Sequence, residues 1–304
     1  FCETNRINMS LTEKLKGVGV ALVTPFLPDK SIDYDTLGRL IDFQIASGVD
    51  YIVALGTTSE SPTLSEDERR EVRRYIVERV GGRVPLVLGL GGYNTRALVD
   101  QLKTDDLSDF CAILSVTPYY NKPSQEGLYR HFTAVADASP VPVILYNVPG
   151  RTGTNMAPAT ALRLASHPNI IAVKEASGNL GQAQQIIAGA EGEDFVVLSG
   201  DDALTLGMVS AGGNGVISVI ANALPAEFSE MVHAALSGDM ELARRHNKRL
   251  SAFYPLLSVD GNPAGIKCLL SILGYGANEL RLPLVPCTEA TASRLASEAA
   301  SLKK

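Results

Sequence analysis

A lysine ends the apolar run Ile170-Ile171-Ala172-Val173-Lys174, and Glu175-Ala176-Ser177-Gly178 follows it. Burial disfavours the charged form of an amine. A neutral amine near pH 7 is a nucleophile that condenses with carbonyl compounds. The plainer alternative is a lysine that snorkels to solvent or pairs with Glu175. Tyr146 ends another apolar run 28 positions earlier. A phenol held beside an amine can pass protons to and from it, although a tyrosine there also serves as an amphipathic rim residue. Thr57-Thr58 can orient a phenol or bind a carboxylate through hydroxyl and backbone N–H, or simply form a turn. Arg151, in Pro149-Gly150-Arg151, offers a planar guanidinium suited to a carboxylate; a plain surface arginine is the alternative. Tyr119-Tyr120 can belong to core, active site or subunit interface. Asp201-Asp202 lack further ligands nearby and read as cap or loop residues.

These residues stand at the ends of recurring units. Eight β-rich runs, Val18–Val23, Tyr51–Leu55, Val84–Leu88, Ala112–Val116, Val143–Tyr146, Ile170–Val173, Phe195–Leu198 and Gly215–Val219, are apolar throughout. That is the pattern of strands covered on both faces. Roughly 20 to 35 residues separate successive runs, enough for one βα unit each. Helical patterns fill the gaps. Asp33 or Tyr34 to Ala46 ends at Gly48, and Ser65-Glu66-Asp67-Glu68 is a capping box opening a helix to Val80. Further helices are expected at Thr95–Lys103, Ser124–Ala138, Pro158–Ala165, Leu180–Ala190 and Ala203–Ser210, then at Ala226–Leu236, Asp239–Leu257, Pro263–Leu273 and Thr288–Leu302.

Eight alternating units predict an α/β fold, a (β/α)8 TIM barrel with a C-terminal helical extension. The expected divisions are an N-terminal extension over 1–15, the barrel over 16–236 and a helical region over 237–304. A dinucleotide-binding reading would rest on Gly89-Leu90-Gly91-Gly92. That motif follows the third strand, not the first, and lacks the acidic residue expected about 20 positions later, so a tight βα turn is the better reading. In a βα barrel the chemistry sits at the carboxyl ends of the strands. There the chain places Thr57-Thr58, Tyr119-Tyr120, Tyr146, Arg151, Lys174, Asp201 and Ile217.

Composition narrows the partners. The net charge of −6 comes with no basic stripe, and 6% aromatics with no Trp make a poor base-stacking surface, so nucleic acid is not expected. The histidines are scattered, and neither HExxH nor a His/Cys cluster occurs, so no catalytic metal is expected. Cys2, Cys111, Cys268 and Cys287 have neither metal nor redox spacing, which fits a reducing compartment. No apolar run approaches the roughly 18 residues of a membrane span. Phe1–Asn8 lack the apolar core of a signal peptide, and Met9 is a possible native start.

Gly56-Thr57-Thr58-x-Glu60-Ser61, Thr117-Pro118-Tyr119-Tyr120-Asn121, Tyr146-Asn147-Val148-Pro149-x-Arg151-Thr152 and Ile171-x-x-Lys174-Glu175-Ala176-Ser177-Gly178 together resemble the dihydrodipicolinate synthase family, also called 4-hydroxy-tetrahydrodipicolinate synthases. The likeness runs from about Lys16 to Leu284 and includes Ser199-Gly200-Asp201-Asp202 and Asn262-Pro263. It implies condensation of pyruvate with L-aspartate 4-semialdehyde, the first committed step of diaminopimelate and lysine synthesis. It also implies a Schiff base on Lys174, proton transfer by Tyr146, and a relay completed by Thr57 and by Tyr120 of a neighbouring subunit. Pyruvate would be held by Thr58 and the backbone of Ile217, and the semialdehyde carboxylate by Arg151. No cofactor or metal is implied, and the family pattern is a cytoplasmic homotetramer built as a dimer of dimers.

Two departures stand out. The usual glycine after the threonine pair is Ser59, which matters if the turn needs positive φ there. Lysine-sensitive relatives carry an acidic residue at the position of Leu98, and Pro62, Glu66 and Arg69 stand where some relatives carry small or His residues. Asn94 and Tyr119 remain as the remnant of an allosteric site, but Leu98 cannot bind an ammonium, and weak or absent inhibition by L-lysine is expected. The alternatives are an N-acetylneuraminate lyase or another pyruvate-dependent aldolase, favoured less by Tyr120, Arg151 and Thr57-Thr58, and a barrel that only binds a small carboxylate.

Overall fold

The computed structural model describes residues 10–192 and 194–302; Phe1–Asn8 and Met9 lie outside them. Eight strands, β1 Gly17–Ala21, β2 Tyr51–Ala54, β3 Leu86–Gly89, β4 Ala112–Val116, β5 Val143–Asn147, β6 Ile170–Glu175, β7 Val196–Ser199 and β8 Gly215–Ser218, follow one another in sequence order around a closed barrel. The pairs from β3 to β8 are parallel. Nearly every strand residue is buried, as expected of apolar runs covered on both faces. The described residues form two compact units: 10–19 with 85–217, and 20–84 with 218–302.

In the first unit, helices α3 Thr95–Thr104, α4 Gln125–Ala138, α6 Pro158–Ala165, α7 Leu180–Gly189 and α8 Thr205–Ser210 alternate with the strands. A four-residue helix, α5 Pro149–Thr152, follows β5. Asn94, Ser124 and Asn179 accept the first free N–H groups of α3, α4 and α7, which explains why these helices start there. The expected helix at 203–210 begins instead with a 3₁₀ turn, Asp202–Leu204, capped by Asp201. Two glycines set close backbone approaches. A Cβ on Gly215 (φ +151°) would lie 2.1 Å from the Gly17 carbonyl oxygen, and one on Gly91 would lie 2.8 Å from the Val116 nitrogen. The glycine-rich stretch after β3 is therefore a tight turn against the backbone of β4.

The second unit holds helices α1 Tyr34–Ala46, α2 Glu66–Val80, α9 Pro225–Leu236, α10 Met240–Leu250, α11 Phe253–Ser258, α12 Ala264–Ile272 and α13 Glu289–Ser301. The capping box of α2 forms as expected: Glu68 N–H donates to Ser65 Oγ at 3.1 Å, and Ser65 N–H donates to Glu68 Oε2 at 2.8 Å. The single helix expected over 239–257 is broken between Leu250 and Phe253. Pro255 is the cause: it cannot donate to the carbonyl of Ser251, and its ring collides with that carbonyl, so the chain restarts with Pro255 in the first turn of α11. Seven of the nine residues of α12 are buried, Lys267 among them. Among the described residues, no helix is long and apolar enough to cross a membrane.

Candidate active site

Lys174 is the fifth residue of β6 and pairs in register with Tyr146 of β5. Both are buried, Lys174 with 5% of its surface exposed. Its Nζ lies 4.4 Å from the centre of the Tyr146 ring, which presents a π face to the nitrogen. On the other side β7 pairs with β6, and Gly200 just beyond it leaves the space that Lys174 fills: a Cβ at 200 would stand 3.0 Å from Lys174 Cε and 2.6 Å from the Ala176 Cβ.

A polar network fixes the strand ends that carry this pair. Glu175 belongs to β6 and is buried. Its carboxylate accepts hydrogen bonds from Asn147 Nδ2 at 2.9 Å, Gln182 Nε2 at 3.1 Å and the Ser177 N–H at 2.6 Å. Asn155 closes the ring, accepting from Asn147 Nδ2 at 2.8 Å and donating to Gln182 Oε1 at 2.9 Å. Glu175 thus has three partners of its own, and Lys174 faces a phenol ring.

Arg151 lies exposed on α5, the short helix leaving β5. Thr152, beside it, accepts from Thr117 Oγ1 at 3.2 Å and donates to Thr154 O at 2.9 Å, tying that helix to the loop after β4. Ile217 is buried within β8. Tyr120 stands 88% exposed with φ +74°, a left-handed conformation rare for a large side chain. Tyr119 meets Tyr93 edge-on at 5.2 Å. Asn94 caps α3 and Leu98 is buried in that helix. Asp201 serves as a cap, as its setting in sequence suggested.

The threonine pair lies in the second unit, in a 3₁₀ turn Thr57–Ser59 just past β2. Asn262 Nδ2 donates to Thr58 Oγ1 at 3.0 Å. Ser59 donates to Gly56 O at 2.6 Å and is not the residue that takes positive φ; Leu55 (+54°) and Glu60 (+57°) are. The missing glycine therefore places no strain on Ser59. Sequence reasoning passed over Lys267, which is buried against Glu60. Its signal was a lone lysine in the apolar stretch Ala264–Leu270.

The dihydrodipicolinate synthetase family model matches residues 14–301. The chain belongs to this family. A 4-hydroxy-tetrahydrodipicolinate synthase of Parabacteroides distasonis is 54% identical over 273 residues, covering 90% of this chain and 92% of that protein. Its counterpart in Phocaeicola vulgatus is 52% identical, with coverage of 90% and 92%. The crystal structure of a chloride-inhibited dihydrodipicolinate synthase from Acinetobacter baumannii complexed with pyruvate superposes with a TM-score of 0.92 at 37% identity, covering 95% of this chain and 99% of that one. The family is one of cofactor-free aldolases of class I.

Proposed function

We propose that this chain condenses pyruvate with L-aspartate 4-semialdehyde on Lys174, giving 4-hydroxy-tetrahydrodipicolinate. Pyruvate condensation in the first step of lysine and diaminopimelate biosynthesis is the activity of relatives about half identical over nine-tenths of the chain. The observation that carries the residue assignment is the buried amine of Lys174 over the ring of its register partner Tyr146.

The chemistry follows from that pair. The Lys174 amine adds to the pyruvate ketone and water leaves, giving an imine. Loss of a methyl proton gives the enamine, whose carbon attacks the semialdehyde carbonyl; the new alkoxide takes up a proton. The substrate's own amine then adds to the imine carbon and displaces Lys174 as the ring closes. One water is released overall. Tyr146 is the acid and base for these transfers, its ring centre 4.4 Å from the nitrogen. Thr57 and Tyr120 extend the relay. Thr58 and the backbone of Ile217 hold the pyruvate carboxylate, and Arg151 receives the carboxylate of the semialdehyde. No cofactor enters any step.

Tyr120 is offered to a second copy of the chain, supported by its 88% exposure and constrained backbone. The same proposal includes a homotetramer in the cytoplasm. The experiment is to incubate the protein with pyruvate, reduce with borohydride and map the modified peptide. An adduct on Lys174 is expected; an adduct elsewhere, or none, overturns the assignment. Turnover with aspartate semialdehyde set against cleavage of N-acetylneuraminate separates the synthase from a lyase of the same superfamily.

A further inference from the structure

The turn that carries Thr57 and Thr58 is held from behind by residues far along the chain. Its last residue, Glu60, has its side chain fully buried and its backbone in the left-handed region. The carboxylate forms an ion pair with Lys267 of α12 and accepts the Arg281 N–H at 3.0 Å. Lys267 is only 3% exposed, donates to the Glu279 carbonyl at 2.9 Å, and stands 4.0 Å from the centre of the Phe26 ring. Burial pushes its ammonium down to about 8 against the pull of Glu60, with Arg281 and Lys30 adding to the fall. Arg281 is itself fixed by a two-pronged bond to Glu68, at 2.6 and 2.8 Å. The second hold is Asn262, two residues before α12, whose Nδ2 donates to Thr58 Oγ1.

We propose that Lys267 and Asn262 are positioning residues of the active site, clamping the Thr57–Glu60 turn so that the Thr58 hydroxyl is presented to the carboxylate of pyruvate. This rests on the reading of Thr58 as a pyruvate-binding residue. The directions of the bonds give the clamp a chemical effect beyond stiffness. Because Asn262 donates, Thr58 Oγ1 is occupied as an acceptor and its own O–H points elsewhere, ready to donate to an anion. Lys267 acts one step further back. It is the ion-pair partner of the buried Glu60, and through Glu60 the lysine sets the backbone that ends the turn. Burial alone therefore does not mark a catalytic lysine here. Lys174 faces a phenol ring, whereas Lys267 faces a carboxylate.

Three variants test the clamp, each followed by pyruvate KM, kcat and borohydride trapping at saturating pyruvate. Asn262→Ala is expected to raise the pyruvate KM about tenfold, the worth of one hydrogen bond to a charged group, with kcat held within about threefold. Asn262→Asp is expected to raise it further, because an aspartate can only accept and turns the Thr58 proton away from substrate. Lys267→Met alone leaves Glu60 buried without its partner and is expected to misfold. The double variant Glu60→Gln with Lys267→Met removes both charges and is expected to fold, with pyruvate KM again raised about tenfold. Trapping on Lys174 is expected to survive in every variant that folds. Thr58→Ala separates the two levels of argument. If it leaves pyruvate KM unchanged, the reading of Thr58 has failed. If it raises KM while Asn262→Ala and the double variant do not, the clamp has failed. Asn262→Asp behaving no worse than Asn262→Ala overturns the hydroxyl orientation.

Discussion

Gly200 and Lys174 share one volume. A Cβ at position 200 would lie 3.0 Å from Lys174 Cε, 3.1 Å from its Cγ and 2.6 Å from the Cβ of Ala176. A lysine tip can swing aside, but the Ala176 Cβ is fixed to the backbone just past β6, so the strand end must shift as well. Gly200→Ala is therefore expected to leave a folded barrel with a displaced amine. A misplacement of about an ångström costs on the order of 100-fold in rate when geometry is tightly set. We expect kcat to fall by about that factor, with slower trapping of pyruvate by borohydride. Wild-type turnover in a folded Gly200→Ala protein would show that the lysine does not depend on this space.

The phenol can be separated from the ring that bears it. Tyr146→Phe keeps the aromatic face 4.4 Å from Lys174 Nζ and removes only the hydroxyl. Positioned acid–base groups contribute typically about 10²–10⁴ in rate. We expect kcat to drop within that range while pyruvate is still trapped on Lys174 once incubation is prolonged. A drop of less than about tenfold would move the proton transfers to another group.

The barrel was legible because each level of the sequence agreed with the next. Apolar runs without alternation marked doubly covered strands, and side-chain caps such as Ser65 and Ser124 marked helix starts. Tyr146 and Lys174 end apolar runs 28 positions apart, one βα unit, and the register pairs the two residues. The failures are physical too. Pro255 broke a helix whose apolar periodicity runs on through it. The role of Glu175 depends on Asn147, Asn155 and Gln182 converging from three elements, which no local pattern encodes. Asn262 reaches Thr58 across 204 positions. Lys267 left one trace, a charge in an apolar helix, but its partner lies in a different motif. Burial of an amine thus gave two candidate lysines, and only what faces each nitrogen distinguishes them.

L-Lysine is expected to inhibit weakly or not at all. Leu98 is buried in α3 and carries no charge for an ammonium group, and the Asn94 side chain accepts the Ala97 N–H at 3.2 Å to cap the helix. Tyr93 and Tyr119 meet edge-on beside that cap, and neither phenol supplies a charge for an ammonium group. Initial rates across a titration of L-lysine from micromolar to millimolar check this. Strong inhibition at micromolar lysine would mean that another carboxylate has replaced the missing one.

His131 makes stability depend on pH in a predictable direction. It is 5% exposed on α4, with Nδ1 2.8 Å from Thr95 Oγ1 and its ring edge-on to Phe132 at 4.9 Å. Burial lowers its pKa from 6.5 to about 4. Above the unfolded value neither state carries the proton, and the neutral ring contributes its full stability. As pH falls from 6.5 toward 4, the unfolded chain takes up a proton that the folded chain refuses, and stability drops. At about 1.4 kcal/mol per pH unit, the loss by about pH 5 is about 2 kcal/mol. Denaturant unfolding at about pH 7.5 and about pH 5 should show this loss in the wild type and about 2 kcal/mol less of it in His131→Gln. The comparison isolates His131, because carboxylates titrating at lower pH are common to both proteins. An equal loss in the variant would assign the acid sensitivity to a different group.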